Sequence, residues 1–192
     1  AGSLMHEAGA EIEGQPATAW VSAVMAELAG NDRVTMLPRT TVFGYFNQNF
    51  VALAERVTDH LASPDPSLPR ERLWQVRARQ VVLATGAIER PLVFPENDRP
   101  GIMMAEAGRI YANRYGVLPG RAIAVATACD SAWRAAFDIA ALGGNVVAIL
   151  DMRGEVDPLL KERARALAIR VETGCTVTGV KGSKRVQGVL LG

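Results

Sequence analysis

Val81-Val82-Leu83-Ala84-Thr85-Gly86-Ala87-Ile88-Glu89-Arg90-Pro91 is the stretch on which the fold turns. An apolar run ends abruptly in small residues, followed by a charged pair and a proline. A buried strand reads like Gln80 to Leu83 and stops where Ala84, Thr85 and Gly86 begin. In an open α/β sheet the carboxyl ends of the strands are where ligands bind. Small residues at that end let the main chain lie close against a nucleotide. An ordinary strand followed by a glycine turn gives a similar pattern. The length of the stretch and its charged exit favour the nucleotide reading.

Upstream of this stretch, Trp20, Val21, Val24, Met25 and Leu28 recur at helical spacing, so Pro16 to Ala29 is expected to be a helix. Pro16 suits its first turn and Gly30-Asn31 its end. Short strands are expected at Val34 to Leu37, Thr40 to Tyr45, Phe50 to Arg56, Arg72 to Val76 and Gln80 to Leu83. Ser63 to Pro69 is a proline-punctuated loop between them. Residues 34–83 therefore read as a meander of the kind that covers one face of a nucleotide-binding sheet.

Downstream, a new unit begins near Phe94. Ile102 to Tyr115 reads as a helix that Gly116 stops. The small apolar run Ala122 to Thr127 suits a buried parallel strand. Ser131 to Leu142 is a helix with Asp130 as N-cap, and Val146 to Leu150 is the next strand. Asp157-Pro158 opens a third helix, to about Ala168. Ile169 to Glu172 is a strand, and Cys175 to Val180 pairs with Val186 to Leu191 as a hairpin. The alternation implies an α/β chain with a parallel sheet. The expected division is residues 1–93, a partial first dinucleotide-binding domain with a β-meander, and 94–192, a second, degenerate α/β domain.

With 192 residues, 49% of them hydrophobic and 21% charged, the chain can build a core. A formal net charge of +1 without a Lys/Arg cluster argues against nucleic acid as a partner. No apolar run reaches the length of a membrane span, and the first residues lack the pattern of a signal peptide. Cys129 and Cys175 match no metal spacing, and His6 and His60 have no partners at ligand spacing. A reduced, cytoplasmic protein without a metal is expected.

Residues Ile123 to Asp151 have the length of a dinucleotide-binding strand–helix–strand unit. Thr127, Cys129 and Ala132 stand where its three glycines belong. The first glycine makes the tight turn and the second lets pyrophosphate approach. A side chain at Cys129 intrudes on that space, and an Asp130 carboxylate at the helix start repels an anion. Asp151 does lie where the ribose-binding acid belongs. The unit reads as a degenerate nucleotide fold, with Trp133 and Met152 as core or interface residues.

Three segments carry a resemblance to a known family. They are Arg39-Thr40-Thr41-Val42-Phe43-Gly44-Tyr45-Phe46, the run Arg70 to Pro91, and Asn97-Asp98-Arg99-Pro100-Gly101-Ile102-Met103 with Asn113-Arg114-Tyr115-Gly116-Val117. Together they resemble the α subunit of heterotetrameric sarcosine oxidase over nearly the whole chain. The resemblance implies a Rossmann-like, two-dinucleotide-binding-domain flavoprotein fold of the FAD/NAD(P)-binding type, with the first βαβ absent, so that the chain is an internal fragment. It implies a multi-subunit flavoenzyme that oxidatively demethylates sarcosine to glycine, consumes oxygen, releases hydrogen peroxide and can pass the one-carbon unit to tetrahydrofolate. It further implies FAD on the β subunit, a covalent FMN near the α/β junction, and a noncovalent NAD on the α subunit.

Carried onto this sequence, Gly2 and Ser3 resemble the loop after the ribose-binding acid. Thr41 and Val42 resemble the strand whose backbone meets the adenine. Ala84, Thr85, Gly86 and Ala87 resemble the turn beside pyrophosphate and ribose. Ala128-Cys129 departs from the family's Asn-rich turn. No catalytic residue is assigned to this chain, and Asp98 and Arg99 read as an exposed charged loop. The implied partners are the flavin-carrying β subunit and the other subunits of a hetero-oligomer. A second reading is a non-catalytic scaffold subunit of a related amino-acid dehydrogenase with a vestigial nucleotide site. A free-standing reductase is disfavoured by the missing glycines and the lack of a CxxC pair.

Overall fold

The computed structural model describes residues 9–192, and it divides into two compact units at Gly86/Ala87.

The first unit opens with two short antiparallel strands, β1 (Glu11–Ile12) and β2 (Gln15–Pro16), leading into helix α1 (Ala17–Ala29). The apolar stripe expected on α1 is present, but only Ala17 is buried, and Met25 and Leu28 are exposed. An antiparallel sheet follows in the order β3-β4-β5, formed by Thr40–Phe46, Phe50–Arg56 and Glu71–Arg77. The β3–β4 turn places Gln48 and Asn49 at positive φ. The Tyr45 hydroxyl donates to Asn49 Oδ1 at 2.8 Å, and Asn49 Nδ2 donates to the Arg79 carbonyl at 3.0 Å. On one face Glu55 accepts from the Trp74 indole at 2.7 Å and pairs with Arg72 at 3.2 Å.

Two expected strands are corrected here. Val34 to Leu37 and Gln80 to Leu83 are irregular, because no strand among the described residues pairs with either. A strand exists only as a member of a ladder, and an apolar composition does not supply the second member.

The second unit begins with irregular chain through 87–104, then helix α2 (Ala105–Tyr115). This helix starts three residues later than expected. The Glu89 carboxylate reaches it from the preceding segment, accepting the Glu106 N–H at 2.8 Å and so satisfying a first-turn donor. Gly116 ends α2 in the left-handed conformation (φ 64°), as a C-terminal glycine should. The parallel sheet follows in the order β6-β7-β8, formed by Ile123–Thr127, Val146–Asp151 and Arg170–Thr173.

Helix α3 (Asp130–Ala141) crosses from β6 to β7, and α4 (Pro158–Ala166) from β7 to β8. Asp157 caps α4 by accepting the Leu159 N–H at 2.9 Å, whereas the N-cap of α3 is Cys129, not Asp130. The hairpin of β9 (Val177–Lys181) and β10 (Gly188–Leu191) closes the unit. Its turn needs Gly182, where φ is 113° and a Cβ would lie 2.1 Å from the Arg185 carbonyl oxygen.

The core of this unit is one cluster built around Trp133, Phe137, Ile139 and Ile149. Trp133 and Phe137 meet edge to face at 6.2 Å.

Candidate functional site

The first candidate is the turn at Ala84–Ala87. All four residues are exposed, and none belongs to a regular element. Gly86 has φ 75°, and a Cβ added there would meet nothing within 4 Å. The backbone at these positions is therefore open to a ligand, with no packed side chain over Gly86. Thr41 and Val42 lie in β3 and are exposed. Among the described residues no hydrogen bond joins them to the 84–87 turn. Gly2 and Ser3 lie outside the described residues.

The second candidate is the carboxyl edge of the parallel sheet, where the turn after β6 and the end of β7 would face a dinucleotide. The turn is closed by a side chain. Thr127 Oγ1 accepts the Cys129 N–H at 3.0 Å and donates to the Cys129 carbonyl at 2.9 Å. Cys129 Sγ lies 3.1 Å from Ser131 Oγ. That hydroxyl is the main reason the thiol sits below its ordinary pKa. Burial opposes it, while Thr127 Oγ1 and the amides of Ala132 and Ser131 add to it.

Asp151, at the end of β7, is fully buried. Its Oδ2 accepts the Trp133 indole N–H at 2.7 Å and Arg153 Nη2 at 2.8 Å. Its Oδ1 accepts Arg153 N at 2.9 Å and Arg153 Nε at 3.0 Å. Arg153 Nη2 also meets Asp130 Oδ1 at 2.8 Å. Burial pushes the Asp151 carboxyl up, but the Arg153 and Trp133 hydrogen bonds outweigh it, and the net direction is down. The same bonds, Asp151 first and then Asp130, hold the Arg153 guanidinium above its ordinary range.

The sequence points to Asp151 at this edge and to Trp133 as a core or interface residue, but not to Arg153, which joins the network at Asp151. The available signal was Asp-x-Arg at a strand end, a spacing that lets the guanidinium fold back on the carboxylate. Met152, beside it, is exposed rather than packed in this unit's core.

Other sequence candidates take structural places. Arg99 is half-buried and ties the 94–102 loop to the hairpin, donating to the Gly182 carbonyl and pairing with Glu96, while Asp98 is exposed. His60 is exposed, His6 lies outside the described residues, and both cysteines are free. Among the described residues no cluster of His, Cys, Asp and Glu could hold a metal, and no helix is long and apolar enough to cross a membrane.

Strand order and connections define the class: an α/β chain with a Rossmann-like parallel module. The same fold occurs in solved oxidoreductase structures. L-proline dehydrogenase from P. horikoshii matches with TM-score 0.52 and 19% identity over 98% of this chain and 31% of that one. A NAD-dependent persulfide reductase from A. fulgidus matches with TM-score 0.56 and 16% identity over 86% of this chain and 30% of that one.

Sequence similarity narrows the class. Sarcosine oxidase subunit alpha from Corynebacterium sp. (strain P-1) is 49% identical over 95% of this chain. Its counterparts from Corynebacterium sp. (strain U-96) and Rhizobium meliloti (strain 1021) are 46% and 42% identical over 92% and 98% of it. The chain is homologous to a stretch of sarcosine oxidase subunit alpha, and it spans about a fifth of the length of these relatives. No protein-family model matches it.

Proposed function

We propose that this chain is part of the α subunit of a multi-subunit flavoprotein oxidase that oxidatively demethylates sarcosine to glycine. Its contribution is a nucleotide-holding surface and contacts to the other subunits. The similarity to sarcosine oxidase subunit alpha along nearly the whole chain carries the reading. The open main chain at Ala84–Ala87 supports a noncovalent NAD there; the family resemblance assigns Thr41 and Val42 to the adenine side and Gly2 and Ser3 to the ribose. A nucleotide lying against backbone needs small residues, and Ala84 to Ala87 supply them. FAD on a β subunit and a covalent FMN between subunits complete the proposed enzyme. Two free thiols suit the reducing cytoplasm.

The test uses the full chain assembled with its co-expressed subunits. Nucleotide released on denaturation is quantified beside sarcosine-dependent oxygen uptake. NAD near one per α chain, together with sarcosine turnover, is the expected result. Ala84→Leu, which adds bulk at an exposed position, should lower NAD content at least tenfold while the nucleotide-stripped variant and the nucleotide-stripped wild type melt at the same temperature. Turnover without any nucleotide would remove the NAD site from the proposal. Nucleotide or none, without sarcosine turnover, would favour the scaffold of a related amino-acid dehydrogenase. The closed strand–helix edge of the second unit gives that alternative its one specific support.

A further inference from the structure

We infer that the strand–helix–strand module Ile123–Asp151 holds no dinucleotide, because a Trp133–Asp151–Arg153–Asp130 latch fills the positions that would bind one. A dinucleotide in such a module needs three things: a bare backbone turn, free amides at the helix start, and an acid with lone pairs to spare for the ribose diol. Each is already committed.

The turn is bridged by Thr127 Oγ1, whose residue is 4% exposed, and Cys129 projects a side chain where the second glycine would leave space. At the helix start Cys129 Sγ lies 3.1 Å from Ser131 Oγ and so occupies the space beside the first amides of α3. The ribose position is the most fully used. A carboxylate has about four lone-pair sites, and Asp151 receives four donors, from the Trp133 indole and from Arg153 N, Nε and Nη2. With Asp151 and Trp133 both at 0% exposure, a sugar hydroxyl reaches that carboxylate only by dismantling the core around it.

Charge leads to the same result. Arg153 serves two carboxylates, so the latch carries a net charge of −1 where a diphosphate would approach. The fold's ribose acid has become a packing residue that pins the start of α3 to the end of β7. The latch does not depend on which amine the assembled enzyme oxidises.

Trp133→Phe and Asp151→Asn test this in the full chain with its subunits. The first takes away the indole N–H and one ring of the side chain but keeps an aromatic ring in the core. The second keeps the side-chain shape and takes away the charge, so the two variants break the latch by independent routes. After equilibrium dialysis against millimolar NADH, nucleotide retained per folded chain is measured beside the melting temperature. Retention should equal wild type in both variants while melting falls by about 2–8 °C. Halved retention in either folded variant would overturn the inference. So would an unchanged melting temperature in both, since the latch would then hold nothing.

Discussion

The two units face the same problem and meet it differently. In the second, the parallel sheet is covered by its own helices: Trp133, Ala136, Ile149 and Ala164 are each 0% exposed. In the first, Ala17, Ala52 and Thr58 are the buried residues among those described, while Phe43, Tyr45, Phe46 and Leu73 stand 54–60% exposed. Around its parallel sheet the second unit has a packed core and a strand-end edge filled by its own side chains, while Ile88 and Val93 in its irregular leading segment stand 89% and 94% exposed. The other offers apolar sheet, an apolar helix stripe and an open small-residue turn. Apolar area of this kind is worth about 25 cal/mol per Å² once removed from water, so a surface left in this state is suited to being covered. Under the proposed function, the closed unit would serve as support and the open one would meet cofactor and partners.

The largest expected effect separates core from surface. Phe137 is 1% exposed, meets Trp133 edge to face and carries the Arg163 guanidinium 4.5 Å from its ring centroid. Phe137→Ala should cost about 3–5 kcal/mol. The same change at Phe43, 60% exposed on β3, should stay within about 0.5 kcal/mol. Urea unfolding of the two variants measures both. Similar losses would mean that Phe43 is buried in the native protein and that the contrast between the units is not real.

This contrast also sets what the sequence could reveal. Helices α2, α3 and α4 and strands β6 to β8 are legible because each element finds its partner within the described chain, so local pattern and tertiary packing agree. Gln80 to Leu83 misled for the opposite reason. Val82 and Leu83 are 88% and 68% exposed, with apolar strand composition and no ladder. Residue type alone points to Asp130 as the cap of α3. Thr127 closes the turn one step earlier, which leaves Cys129 as the cap and frees Asp130 for Arg153. The small residues at 84–87 could be read directly, since they need no partner to be small. The latch could not, because it depends on a tryptophan and an arginine meeting one carboxylate from 18 and 2 residues away.

Acid probes the closed unit by a smaller step. The Asp151 carboxyl is held below its unfolded value of about 3.9. A depressed carboxyl contributes its full stability above the unfolded pKa and loses it as pH falls through the folded one. Melting temperatures of wild type and Asp151→Asn should therefore differ near neutrality and converge below pH of about 3.9, as the wild-type carboxyl takes up its proton. A gap that persisted undiminished at the lowest pH would show that the latch acts through shape and not through charge.

The smallest stability effect belongs to Leu83, and it bears on the open unit. With the side chain 68% exposed and the segment outside any sheet, Leu83→Ser should change the stability of the chain as described by no more than about 0.5 kcal/mol. Its solubility should rise, because one member of an exposed apolar run is gone. In the assembled enzyme the same substitution discriminates. If a further strand pairs with residues 81–83, Leu83 is buried there, and the change should cost about 2–3 kcal/mol and loosen the adjoining 84–87 turn, read as faster amide exchange at Thr85 and Gly86. Equal, negligible costs in both contexts would mean that the apolar run never enters a sheet, and the open turn would then lack the rigid strand that a nucleotide site requires.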